Sequence, residues 1–118
     1  MENTAQNTTY PTVLNEEGFF FENADDHELG IHTKIYPNKS KVKQTKISTG
    51  INACVRSLKA KDSSEMTRLM DKDKDRYLMA MITVATTFDG TKLPIEDVEN
   101  LSMKDYQLLM GMCSELNF

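Results

Sequence analysis

Three clusters along this chain gather residue types able to do chemistry. Asp71-Lys-Asp-Lys-Asp75 alternates carboxylates in the manner of a calcium loop, which needs hard oxygen donors at every second position. The cage cannot close, because Arg76 stands where the sharp turn needs glycine and Ile82 where a bidentate glutamate is required. A solvated, mixed-charge link between two helices is expected there instead. His27 and His32 lie near Asp25, Asp26 and Glu28, a donor set suited to a metal ion. Their separation of five residues along a strand turns the two imidazoles to opposite faces, so surface histidines without a metal are expected.

The third cluster is basic. Lys39, Lys41, Lys43 and Lys46 crowd one short stretch, and on a strand Lys39, Lys41 and Lys43 project to the same side. Such a ridge suits an acidic partner surface, or blunts an exposed sheet edge against aggregation. Nucleic acid is not expected, because no aromatic residues interleave with the lysines to stack on bases and the net charge is −4. Phe19-Phe20-Phe21, beside Glu22, Asp25 and Asp26, reads either as a buried strand or as a docking segment. Phe19, Phe20, Phe21, Lys39, Lys41 and Lys43 are therefore the candidate partner-binding residues. Cys54 and Cys113 lack the spacing of a metal knuckle or redox pair and are expected to be reduced core thiols. No Gly-x-Ser-x-Gly elbow, Cys/His pairing or glycine-rich phosphate loop is present. Neither an enzyme nor a cofactor is expected.

At 118 residues, 39% apolar and 27% charged, the chain has the size and composition of one domain. Its longest nearly uncharged run, Tyr77 to Phe88, is too short to span a bilayer as a helix. No secretory signal opens the chain, so a cytoplasmic location is the expectation. Residues 1–17 are rich in Asn, Thr, Gln and Glu with Pro11 among them, a composition that predicts a flexible polar arm. Residues 18–118 form the expected domain.

The elements follow from periodicity. Leu29 to Tyr36 and Ile51 to Leu58 alternate at a period of two, and Lys41 to Ile47 lies between the turns Pro37–Ser40 and Ser48–Gly50, predicting a small N-terminal antiparallel β-meander. A hairpin alone is marginal, so helices must cover one face. Asp62-Ser-Ser-Glu65 reads as a capping box. A helix is predicted over Asp75 to Phe88, with Leu78, Met81, Ile82, Ala85 and Phe88 as its core stripe and Asp89-Gly90 as its terminator. Pro94 opens a short helix. Ser102 with Asp105 caps a last one, whose Tyr106, Leu109, Met110 and Cys113 share a face. The fold class expected is α+β, the meander packed by three or four C-terminal helices.

The stretch from about Ala53 to Met110 resembles the small tail assembly chaperones of tailed bacteriophages, the phage Mu-like family. Three features carry the likeness: Cys54-Val-Arg-Ser-Leu-Lys-Ala-Lys-Asp62 leading from a strand into a helix, the apolar helix Tyr77 to Phe88, and Leu93-Pro-Ile-Glu-Asp-Val-Glu-Asn-Leu101-Ser-Met-Lys-Asp-Tyr106. A similar Pro or Ser, Glu-Asp-Val/Leu, then Leu, then Asp-Tyr run closes the domain in that family. The resemblance implies a non-enzymatic protein of the infected bacterial cytoplasm that binds the tape-measure protein and helps the tail tube protein polymerise around it. The alternative is a structural tail or baseplate component retained in the virion. Methionine-rich helices offer adaptable apolar surface for such a role. No membrane partner is expected, and self-association is left open.

Overall fold

The computed structural model describes Tyr10, Thr12, Val13 and residues 18–118. Its strands are β1 (Thr12–Val13), β2 (Phe20–Phe21), β3 (His32–Ile35), β4 (Lys41–Lys46), β5 (Asn52–Arg56) and β6 (Thr86–Phe88). They form one six-stranded antiparallel sheet in chain order. Five α-helices accompany it: α1 (Ala24–Leu29), α2 (Ser63–Met70), α3 (Tyr77–Ala85), α4 (Ile95–Glu99) and α5 (Met103–Asn117). The α+β class holds, but the strands are not all N-terminal, since β6 follows α3.

Two hairpins of the meander share one loop geometry. Tyr36 N–H donates to Ser40 O at 2.9 Å, and Ile47 N–H to Ile51 O at 3.0 Å. Each loop places its third residue in the left-handed region, Gly50 at φ 87° and Lys39 at φ 70°. Lys39 thus occupies a turn position that favours glycine and lies outside β4. In register, Thr33 opposes Lys43, Lys43 opposes Val55, and Val55 opposes Thr86, so these residues share the face that the helices cover. Ala53, Val55 and Ile47 meet Met81, Ile82, Ala85, Leu109 and Met112 in the main core.

Several sequence expectations are corrected. The predicted strand beginning at Leu29 starts at His32, because Asn23 and Gly30 bound a short helix: Asn23 Oδ1 accepts from Asp26 N–H at 2.8 Å, and Gly30 closes the helix at φ 75°. The predicted helix to Phe88 stops at Ala85. Thr86, Thr87 and Phe88, well suited to a pleated surface, continue directly as the strand that pairs β5. Asp89-Gly90 is accordingly a two-residue hairpin turn, with φ of 51° and 82° and reciprocal bonds between Phe88 and Thr91 at 2.7 and 3.0 Å. Leu78 does not face the core and is 43% exposed, whereas Met81, Ile82, Ala85 and Phe88 are buried as expected. On α5 the buried face runs through Asp105, Leu109, Met112 and Cys113, with Tyr106 and Met110 half-buried at its flank.

Asp62 caps differently from the expected box. Its carboxylate accepts from the N–H of Lys59 at 2.8 Å and from the Arg56 guanidinium at 3.1 and 3.0 Å, closing a short 3-10 turn ahead of α2 and tying it to β5. Glu65 pairs with Arg68 instead. Hydrogen bonds from Arg56 and from the Lys59 backbone hold the Asp62 carboxyl at a pKa of about 2. A depressed carboxyl pKa adds stability above its unfolded value of ~3.9 that is lost as pH falls through the folded value. A carbon-detected NMR titration should find the Asp62 midpoint near about 2, and Arg56→Gln should move it upward. An unmoved midpoint would show that the pair does not form.

Candidate functional site

The densest charge constellation is centred on β4. Lys43 sits in the middle of the sheet with its side chain 1% exposed, and its ammonium donates to Asp26 at 2.7 Å and Glu22 at 2.8 Å, with Glu115 at 3.0 Å. Thr33 Oγ1 lies 3.3 Å from the same nitrogen. Four elements converge here: Glu22 follows β2, Asp26 is on α1, Lys43 on β4 and Glu115 near the end of α5. Burial by itself would lower the Lys43 pKa, but hydrogen bonds to Asp26, Glu22 and Glu115 outweigh it and raise it above the usual lysine range. Lys41 adds a further ion pair to Glu22. For Glu22, burial acts to raise the pKa, and the bonds from Lys41 and Lys43 reverse it to a net lowering.

The basic ridge predicted from Lys39, Lys41 and Lys43 is therefore not an exposed surface. Lys43 points inward and is neutralised by carboxylates from distant parts of the chain, Lys41 is bridged to Glu22, and Lys39 lies in the turn. The alternation put Lys41 and Lys43 on one face correctly. It carried no information on which face was inside.

Glu22, Asp26 and Glu115 bring carboxylate oxygens within 4.8 Å of one another, the spacing of a cation cage. The Lys43 ammonium takes the cation's place, satisfying the acids at hydrogen-bond distance. Adding EDTA should leave the melting temperature unchanged. A shift of several degrees would mean that a metal ion, not Lys43, neutralises these carboxylates. The Asp71–Asp75 stretch ends α2 with Asp71 and Lys72 in left-handed conformations, and Asp73 Oδ1 accepts from Asp75 N–H at 3.0 Å.

His27 and His32 were expected on opposite faces of one strand; they lie instead on α1 and β3 and converge on one ring. Phe21 stacks on His27 at 4.1 Å between centroids and meets His32 edge-on at 5.2 Å. The Tyr10 hydroxyl is 3.0 Å from His27 Nδ1. Burial lowers the His32 pKa. Phe19 and Phe21 are buried and Phe20 is half-buried, so the phenylalanine run is a strand and its flank, chiefly committed to the protein's own packing. Thr12–Val13 pairs with Phe20–Phe21, which joins these residues of the predicted arm to the sheet. Apart from Tyr10, the rest of the arm, Leu14 included, lies outside the described residues.

Asp105, read from sequence as a helix-cap residue, has a further role. Its N–H donates to Ser102 Oγ at 3.1 Å, while its buried carboxylate accepts from Ser48 N–H at 3.0 Å and from Ser48 Oγ at 2.6 Å. It fastens α5 to the β4–β5 loop. Cys54 and Cys113 are free thiols, half-buried and buried, and burial pushes the Cys113 pKa up to about 11. No described helix is long and apolar enough to cross a membrane.

Among the described residues, the large apolar side chains that stay exposed are Leu29, Ile35, Tyr36, Tyr77, Leu78, Met103 and Phe118. No family model matches the chain, and no curated protein or solved structure matches it.

Proposed function

We propose that this chain is a non-enzymatic tail assembly chaperone of a tailed bacteriophage, which binds the tape-measure protein in the host cytoplasm and assists tail tube assembly around it. The observation that carries the reading is the division of the described surface. The strongest charge cluster is consumed internally by Lys43, Glu22, Asp26 and Glu115, whereas large apolar side chains such as Leu29, Tyr77, Leu78 and Met103 stay exposed. Large apolar side chains left exposed, with the densest charge cluster paired inside the fold, suit the shielding of a partner's apolar seam. The resemblance in sequence supplies the partner. Its closing motif folds here as the short helix α4, with Ile95 and Val98 buried, followed by α5 capped at Ser102.

The test is capture. A tagged copy expressed during infection should retain the tape-measure protein, identified by mass spectrometry, and release it as tail tube protein accumulates. Retention of baseplate or tube proteins without the tape-measure protein would favour the structural alternative.

A further inference from the structure

One side of α5 faces α1 across an open groove. Two hollows of about 460 and 540 Å³ share Glu28, Leu29, Gln107 and Leu108 as walls, which makes them continuous. From Lys104 to Glu115 the groove follows α5 for about 17 Å, roughly three helical turns. Ile31, Leu108 and Met112 give it an apolar floor, and Leu29 on its rim is 58% exposed. The two ends carry opposite charge. Beyond Glu28, which lines both, one hollow is bordered by Asp25 and by the Lys43-paired Asp26 and Glu115, the other by the exposed Lys46 and Lys104 and by Asp105, whose buried carboxylate is bound to Ser48. Asp25, Lys46 and Lys104 enter no ion pair among the described residues.

Gly111 lines this groove from the interior of α5. It is exposed, its φ is not in the left-handed region, and an added Cβ would meet nothing within 4 Å. Glycine inside a helix costs stability relative to alanine, so the fold itself gives no reason for it. A missing side chain on a groove wall does allow another backbone to approach closely. The long walls are the helices α1 and α5, with their backbone bonds already made, and β4, whose Lys46 borders one end, lies between β3 and β5, so an extended peptide would find no free sheet edge to join. A helix brings its own backbone bonds.

We infer that the α1–α5 groove docks an amphipathic helix of a partner protein, with a small residue over Gly111, a basic end against Asp25 and Glu115, and an acidic end against Lys46 and Lys104. The inference rests on the proposed binding role and gives it a surface and a polarity.

The chain contains no tryptophan, so a synthetic helical peptide carrying one reports binding through its own fluorescence. The probe has a Leu/Ala seam, lysines at one end and glutamates at the other, and is titrated with the full chain. Saturable binding is expected, weakened at least about tenfold by Gly111→Leu, an effect of about 1.4 kcal/mol. Gly111→Ala should raise the melting temperature while weakening binding, a combination that a purely structural glycine would not produce. A peptide with the same seam and glutamates at both ends should bind less well. Absence of binding by the bipolar peptide, or unchanged affinity in a folded Gly111→Leu protein, overturns the inference. So does a dimer of the chain alone that Gly111→Leu dissociates, since the occupant would then be a second copy. If Gly111→Leu still captures the tape-measure protein fully, the docking surface is wrong and the proposed function stands. If the bipolar peptide docks through Gly111 while no tape-measure protein is captured, the surface stands and the function falls.

Discussion

Lys43→Met is expected to lower the unfolding free energy by about 3–5 kcal/mol, the usual cost of removing one partner from a buried ion pair. The Lys43 side chain is 1% exposed and that of Asp26 4% exposed, so the variant leaves a carboxylate buried without its counter-charge, beside Glu22 and Glu115. The deficit should shrink as pH falls, because protonating the stranded carboxylates removes their mutual repulsion. Wild type has the opposite linkage at the alkaline end. A lysine pKa raised by folding adds stability below the unfolded value of ~10.4, lost only as pH rises through the higher folded value. Adding Asp26→Leu to Lys43→Met should restore part of the loss, since a buried pair exchanged for apolar residues is often tolerated where a broken pair is not. Urea denaturation of the three proteins checks this. Near-wild-type stability for Lys43→Met alone would mean that the cluster is open to water.

Phe88→Ala should cost about 3–5 kcal/mol, the range for truncating a buried phenylalanine. Phe88 is 4% exposed, pairs with Ala53 of β5 and lies in the main core. Against a total of roughly 5–15 kcal/mol for a domain, the variant should be close to unfolding at room temperature. Phe88→Leu, which keeps most of the volume, should lose far less. An undisturbed denaturation midpoint for Phe88→Ala would place the ring on the surface.

The three central strands were legible because His32–Ile35, Lys41–Lys46 and Asn52–Arg56 sit between turns whose residues announce themselves, Pro37-Asn38 and Ser48-Thr49-Gly50. What the sequence concealed shares one cause. β6 has three residues, too few for a period, and owes its conformation to β5, some thirty positions earlier in the chain. α1 has six residues and is set by its caps at Asn23 and Gly30, which an alternating reading of Leu29 to Tyr36 absorbed into a strand. The Asp-Gly hairpin signal was present at residues 89–90 and was outweighed by the apolar run before it. Lys43 could not be placed inside from local pattern, because the acids that make its burial tolerable stand at positions 22, 26 and 115. The α1–α5 groove likewise exists only once the two helices are side by side. Its one local trace was Gly111, a glycine in the middle of a helix-forming stretch.

The central claim, that this chain chaperones tail assembly and then departs, is tested most directly by quantitative mass spectrometry of infected-cell lysate and of virions purified from it. The account predicts abundant chain in the lysate, bound to the tape-measure protein, and none in the finished particles. Chain present in purified virions at a fixed number of copies per tail would contradict it and establish the structural role in its place.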